Sequence, residues 1–168
     1  MKILGVDLAA NYSSMAIKID DDINSISISH STRARPDWDK LLNNLIPREI
    51  ILDDLDAVAY ANGPGSFTSL RSAAAFTKAI AASKKIPLIP VSSLKAIAWE
   101  SKKWVKKLPY IIHVCNVAEK ENFYYAAYNL DSNKIDVVTE PTLVTKDFIK
   151  KIFNNEDYLI GDAWEDES

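Results

Sequence analysis

The chain has 168 residues, of which 48% are hydrophobic and 26% are charged, and its formal net charge is −3. This balance excludes a disordered chain, and the small negative charge excludes a protein whose whole surface attracts nucleic acid. The lysine pairs at 102–103 and 106–107 are interpreted as a solvated helix face. The single cysteine, Cys115, excludes an internal disulfide and a cysteine-based zinc site. With no signal-like segment and no apolar run of ~20 residues, we expect a soluble cytoplasmic protein.

The first part of the chain alternates between the two-residue period of strands and the longer period of helices. Strands are predicted at residues 3–8, 14–19, 23–29, 56–61 and 86–91, and helices at residues 38–46, 67–84 and 93–107. Strands joined by short connections form a meander, whereas strands separated by a helix run parallel. This order predicts an α/β fold with a mixed five-stranded sheet and helices, as in ribonuclease H-like and actin-like ATPase proteins.

A second, smaller unit is predicted after the break at Leu108-Pro109. Strands are predicted at residues 110–117, 122–130, 135–140 and 158–160, with a short helix at residues 146–153. This pattern repeats the first unit in outline over fewer residues. We therefore predict an N-terminal domain at residues 1–108 and a shortened C-terminal subdomain of similar type at residues 109–168.

A glycine-rich turn, Gly63-Pro64-Gly65-Ser66, joins the fourth predicted strand to the alanine-rich helix. Two glycines around a proline make a tight turn that lets another backbone or a ligand come close, and Ser66 stands where a helix N-cap belongs. Open α/β sheets place their sites at such strand ends. We interpret this turn, with the turn after the first strand, as a vestigial phosphate-binding scaffold. Its predicted residues are Asp7, Asn11, Ser13, Gly63, Pro64, Gly65, Ser66, Thr68 and Arg71.

Few residues point to catalysis. A two-metal nuclease needs several converging carboxylates, and Asp7 is a single one. The turn after Asp7 contains no glycine, so its backbone wraps a phosphate less easily, which favours weak or absent nucleotide binding. His30 and His113 are isolated in the sequence and are interpreted as structural, as is Cys115. We predict no catalytic residue, no metal ion and no cofactor.

The alanine-rich helix at residues 67–84 carries small or apolar side chains nearly all round, which is typical of a helix with neighbours on two sides. Small side chains also let a second helix approach closely. We therefore predict a protein–protein interface on this helix and on the helix at residues 38–46. Its predicted residues are Leu41, Leu42, Leu45, Leu70, Ala73, Ala74, Thr77 and Ala81.

Three segments resemble one protein family. They are Lys2-Ile3-Leu4-Gly5-Val6-Asp7, the run from Asp56 through Gly63-Pro64-Gly65-Ser66-Phe67-Thr68 to Arg71, and the run from Ile86 to Leu94. Together they are similar to TsaB, formerly called YeaZ. The resemblance covers about residues 1–100 well and about residues 110–165 loosely.

The resemblance implies an actin-like ATPase fold and a non-catalytic role. TsaB-like proteins support TsaD, which transfers a threonylcarbamoyl group to the adenosine beside the tRNA anticodon, and a TsaE ATPase joins them. The first two helices are then expected to pair with those of TsaD, or with a second copy in a homodimer. Contact with tRNA is expected only indirectly, through the complex, and no membrane contact is expected.

Two other functions stay open at this stage. One is an enzyme of the actin-like ATPase superfamily, either a nucleotide-dependent phosphotransferase or a peptidase-like hydrolase. The other is a homodimeric binding module unrelated to tRNA. TsaD carries a metal-binding histidine pair after the fifth strand, where this chain reads Val91-Ser92-Ser93-Leu94. Because serine does not replace histidine as a metal ligand, this difference favours the partner over the catalyst.

Overall fold

The computed structural model describes residues 1–9, 12–29, 37–45, 54–105, 107–119, 121–152 and 158–163. The chain forms two compact units, Met1–Ser92 and Ser93–Ser168, and each is described in turn. In the part of the chain that the structure describes, no helix is both long enough and apolar enough to cross a membrane.

The first unit is built on a mixed five-stranded sheet. Its strands are β1 (Lys2–Asp7), β2 (Tyr12–Ile19), β3 (Asp22–Ser29), β4 (Ala57–Ala61) and β5 (Leu88–Val91). They lie in the order β3-β2-β1-β4-β5. The pairs β1–β2 and β2–β3 are antiparallel, whereas β4 is parallel to both β1 and β5. The predicted five-stranded sheet is therefore confirmed.

Two helices, α1 (Trp38–Leu45) and α2 (Phe67–Lys84), complete this unit. Oδ1 of Asp37 accepts a hydrogen bond from the backbone N–H of Lys40 at 3.0 Å, so Asp37 caps α1. The two helices meet where the rings of Trp38 and Phe76 stack, with centroids 4.0 Å apart. The core of the unit consists of the buried residues Leu4, Val6, Leu8, Met15, Ile17, Leu41, Leu45, Leu55, Val58 and Ala73.

The second unit contains a four-stranded sheet between two helices. Its elements are α3 (Ser93–Glu100), a 3₁₀ turn (Ser101–Lys103), β6 (Tyr110–Val117), β7 (Asn122–Leu130), β8 (Ile135–Thr145), α4 (Lys146–Lys151) and β9 (Tyr158–Ile160). The strand order is β8-β7-β6-β9, with β9 parallel to β6 and the other pairs antiparallel. The order β3-β2-β1-β4 has the same pairing, so the second unit repeats the topology of the first four strands.

Three boundaries differ from the predicted ones by more than two residues. Helix α3 ends at Glu100 and gives way to the 3₁₀ turn, so a single helix to residue 107 is wrong. Strand β8 continues to Thr145 instead of ending at residue 140. It tolerates Pro141 because an edge strand does not need every N–H for pairing. The compact units divide at Ser92, not at residue 108, because Leu94 and Ala98 of α3 pack in the core of the second sheet.

Candidate functional site

The turn between β4 and α2 presses directly on the turn between β1 and β2. A Cβ atom added at Gly65 would lie 2.7 Å from the carbonyl oxygen of Ala9 and 2.9 Å from its Cβ. A Cβ atom at Gly63 would lie 2.9 Å from Cδ1 of Leu70, and the φ of Gly63 is +100°, a value that side chains disfavour. Packing against the backbone of Ala9 thus requires glycine at position 65, whereas the positive φ requires it at position 63.

Hydrogen bonds tie the same two turns together. The backbone N–H of Ser66, which precedes the first turn of α2, donates to the carbonyl oxygen of Ala9 at 3.2 Å. The N–H of Ala9 donates to Oδ1 of Asp7 at 2.7 Å. A phosphate site needs free N–H groups and open space in front of them. At this contact the carbonyl oxygen of Ala9 accepts from the N–H of Ser66 and also fills the space beside Gly65.

The predicted phosphate-turn residues do not all converge. Asp7, Gly65 and Ser66 meet around Ala9, which sequence reasoning treated only as part of a glycine-free turn. Ser66 stands before α2, but its side chain makes no capping bond, and its oxygen accepts instead from the hydroxyl of Ser69 at 3.2 Å. The exposed residues Thr68 and Arg71 are on α2, and the guanidinium of Arg71 lies 4.7 Å from the centre of the Phe67 ring. Asn11 lies outside the described residues.

Ser13 and Pro64 complete that group. The side chain of Ser13 is buried, and its hydroxyl has no hydrogen-bond partner among the described residues. Pro64 is half-buried and follows Gly63 through a cis peptide bond. Neither observation identifies a ligand, and Ser13 belongs to β2 whereas Pro64 belongs to the packed turn.

The predicted partner face of the two helices is wrong in most of its residues. The structure buries the members of this face that point toward the sheet, which are Leu41, Leu45, Ala73, Thr77 and Ala81. The hydroxyl of Thr77 donates to the carbonyl oxygen of Ala73 at 2.7 Å, inside the unit. The other three, Leu42, Leu70 and Ala74, are half-buried. The apolar spacing correctly predicts that this helix face is packed. The face packs against the sheet of its own unit and not against a partner.

The outward surface of α2 is a different row of residues. We call it the outer stripe of α2, and it consists of the exposed residues Phe67, Arg71, Ala75, Lys78, Ala79 and Ala82. Their spacing of three or four residues places them on one side of the helix. Phe67 is 72% exposed, and the three alanines leave the backbone open to close approach. The sequence shows the spacing of these residues. Whether they are exposed depends on which side of α2 packs against the sheet.

Two titratable side chains of the second unit, His113 and Cys115, are buried. Nδ1 of His113 and the hydroxyl of Tyr125 form a buried hydrogen bond of 2.7 Å. Burial raises the pKa of the Cys115 thiol to about 12, with a smaller contribution from the charge of Asp162. Cys115 is therefore protonated at neutral pH and is a poor nucleophile. No group of three or more metal-ligating side chains occurs within the described parts of the chain, and His30 lies outside them.

Comparison with known proteins adds to this geometry. The family model described as "TsaD: tRNA N6-adenosine threonylcarbamoyltransferase" matches residues 24–153. The tRNA threonylcarbamoyladenosine biosynthesis protein TsaB of Buchnera aphidicola (subsp. Acyrthosiphon pisum) is 30% identical over 158 residues, which cover 90% of this chain and 69% of that relative. The chain belongs to the TsaB (YeaZ) family.

Two further comparisons agree with this family. TsaB of Escherichia coli is 27% identical over 175 residues, covering 98% of this chain and 73% of that relative. The solved structure of YeaZ from Pseudomonas aeruginosa superposes with a TM-score of 0.73 at 20% identity, covering 93% of this chain and 71% of that chain. The YeaZ structure supports the actin-like α/β fold with mixed sheets. The matched family model is named for the transferase TsaD, whereas these relatives carry the TsaB or YeaZ name.

Proposed function

We propose that this chain acts in tRNA threonylcarbamoyladenosine biosynthesis as a TsaB-type subunit that binds and supports a TsaD-type transferase. It performs no chemistry of its own. A TsaE-like ATPase joins the complex, and the chain forms a homodimer when it is isolated. The proposed location is the cytoplasm, where tRNA is modified. The second unit is proposed to be a shortened copy of the first.

The outer stripe of α2 is the observation that carries the partner role. Three exposed alanines on one helix side permit the close approach of a second helix, and Phe67 supplies a large apolar anchor at one end. The α1 helix contributes less to such a surface, because its exposed residues are polar and Leu42 is half-buried. We therefore propose the outer stripe of α2, instead of the buried face, as the centre of the partner interface.

The close packing of the two turns supports the proposal that the chain is not catalytic. The carbonyl oxygen of Ala9 fills the space beside Gly65 and accepts from the N–H of Ser66, which leaves less of this turn for a phosphate. The buried, protonated Cys115 offers no nucleophile. A phosphotransferase or a hydrolase of the same superfamily would need a free phosphate turn or an activated side chain. Calorimetry with ATP and Mg²⁺ tests this point, and submillimolar binding would overturn the non-catalytic assignment.

Size-exclusion chromatography with the cognate TsaD-type transferase tests the partner role. The two chains are expected to co-elute at micromolar concentration. Ala79→Glu should separate them, because the new carboxylate has no lysine or arginine at helical spacing and would be buried unpaired, at a cost of about 3 kcal/mol. Ala79→Ser should retain the complex, and Ala96→Glu, at an exposed alanine of α3, is the matched control. Two separate peaks for the wild-type pair would refute the function, and co-elution of Ala79→Glu would refute the surface.

A further inference from the structure

The segment that follows α3 in the second unit carries two exposed tryptophans among lysines. Trp99 is 42% exposed and Trp104 is 66% exposed. Between residues 99 and 107 the sequence contains four lysines and one glutamate. Exposed tryptophan is costly to leave in water, because each ring presents a large apolar area. A positively charged surface with two such rings therefore requires an explanation.

The ring of Trp99 contacts a cationic side chain of the same segment. The ammonium group of Lys102 lies 3.8 Å from the centre of the Trp99 ring and also donates to the carbonyl oxygen of Ser132. These contacts fix one face of the indole and place a positive charge on it. The aromatic ring and the charge thus form one preorganised element.

Trp104 is the more open of the two rings. Its backbone N–H donates to the carbonyl oxygen of Ser101 at 2.9 Å, which anchors the residue at the end of the 3₁₀ turn. The neighbouring Lys103 pairs with Glu100, but both side chains are more than half exposed. An ion pair of this kind contributes little to stability, so the ammonium group can exchange its carboxylate for a phosphate at small cost.

We infer that the tryptophan–lysine segment (Trp99, Lys102, Lys103, Trp104 and Lys107) binds a single strand of nucleic acid. Unpaired bases stack on exposed aromatic rings, and lysines neutralise the phosphates between them. Lysine is depleted in protein–protein interfaces, which disfavours a protein at this surface. A bilayer is disfavoured because the apolar face of α3, with Leu94 and Ala98, is buried in the core of the unit.

The sequence alone predicts a solvated helix face for these lysines and contact with tRNA only through the complex. The segment lies in the second unit, so the inference does not rest on the partner surface of α2. A direct contact with an unpaired strand gives the chain a binding activity of its own.

Fluorescence anisotropy of the full chain with a labelled 12-nucleotide oligouridylate, and with oligothymidylate of the same length, tests the inference. Trp104→Ala should weaken binding about tenfold, because one stacked base is lost. Lys103→Ala should weaken it a few-fold and flatten the dependence of the affinity on salt. Tyr12→Ala is the matched control for an exposed ring in the first unit, since Tyr12 is 54% exposed. Lys134→Ala is the control for an exposed lysine in an ion pair, here with Asp136 at 2.7 Å.

The outcomes separate the possible occupants. Binding of either oligonucleotide that is weakened about tenfold in Trp104→Ala and kept in both controls supports the inference. Equal binding of a 12-base-pair RNA duplex would overturn it, since a duplex has no free bases to stack. No binding at 100 μM protein in low salt would also overturn it. Binding to phosphatidylglycerol vesicles without oligonucleotide binding would assign the segment to a membrane surface instead.

Discussion

Replacing Gly65 with alanine measures how closely the two turns at the end of β4 are packed. The added Cβ would stand 2.7 Å from the carbonyl oxygen of Ala9 and 2.9 Å from its Cβ, closer than real Cβ contacts allow. Overpacking of this kind costs about 1–3 kcal/mol. A displaced turn would also weaken the hydrogen bond from Ser66 to Ala9, which contributes about 1 kcal/mol. We therefore expect a loss of about 2–4 kcal/mol in the free energy of unfolding.

Urea denaturation followed by circular dichroism measures this loss. With a slope of about 2 kcal/mol per molar urea, the midpoint should fall by about 1–2 M. Gly5→Ala is the matched control, because a Cβ at Gly5 meets only the carbonyl oxygen of Ala16 at an ordinary 3.8 Å. It should leave the midpoint unchanged or raise it slightly, since alanine restricts the unfolded chain. A Gly65→Ala midpoint equal to that of the wild type would refute the close packing of the turns, and with it the argument that the phosphate space is filled.

The remaining predictions concern the thiol and the helix pair. Since burial raises the pKa of Cys115 to about 12, the folded thiol should resist iodoacetamide at pH 8.5, whereas the urea-unfolded chain should react readily. The same shift favours the protonated thiol of the folded state, so the contribution of Cys115 to stability should be complete below about pH 8.5 and decrease as the pH rises above it. Equal alkylation rates in the two states would contradict this assignment. Phe76→Ala removes the ring that stacks on Trp38 and should lower the free energy of unfolding by about 2–4 kcal/mol in urea titrations. Phe67→Ala, at an exposed ring on the same helix, should change it by less than about 0.5 kcal/mol, and a similar loss for both variants would contradict the stacked contact.

The local sequence pattern was enough to predict the strands and helices of the first unit. The alternation along β2, with Met15 and Ile17 buried, is a consequence of the two-residue period of a strand, and it appears in the structure as predicted. The cap at Asp37 is also a local interaction, between a side chain and an N–H three residues later. Such features depend on residues that are close together in the chain, so they can be predicted from the sequence alone.

The candidate site was less predictable because it depends on distant contacts. The importance of Ala9 follows from its approach to Gly65, more than fifty residues away in the chain, and no local pattern indicates that pairing. The predicted partner face includes buried residues, such as Ala73 and Thr77, for a related reason. A row of apolar or small side chains on α2 can face either the sheet or a partner. The periodicity is the same in both cases, so it does not distinguish them.

The amino-acid pattern thus predicts where strands and helices run, that the first sheet is mixed, and that the glycine turn is tight. These properties follow from backbone geometry, side-chain period and turn chemistry, which act over a few residues. Three others depend on the folded chain: the packing of Gly65 on Ala9, the burial of Ala73 and Thr77, and the exposure of the outer stripe of α2. They follow from the side of each element that meets the core, and that choice is made by the free energy of burying the whole sheet.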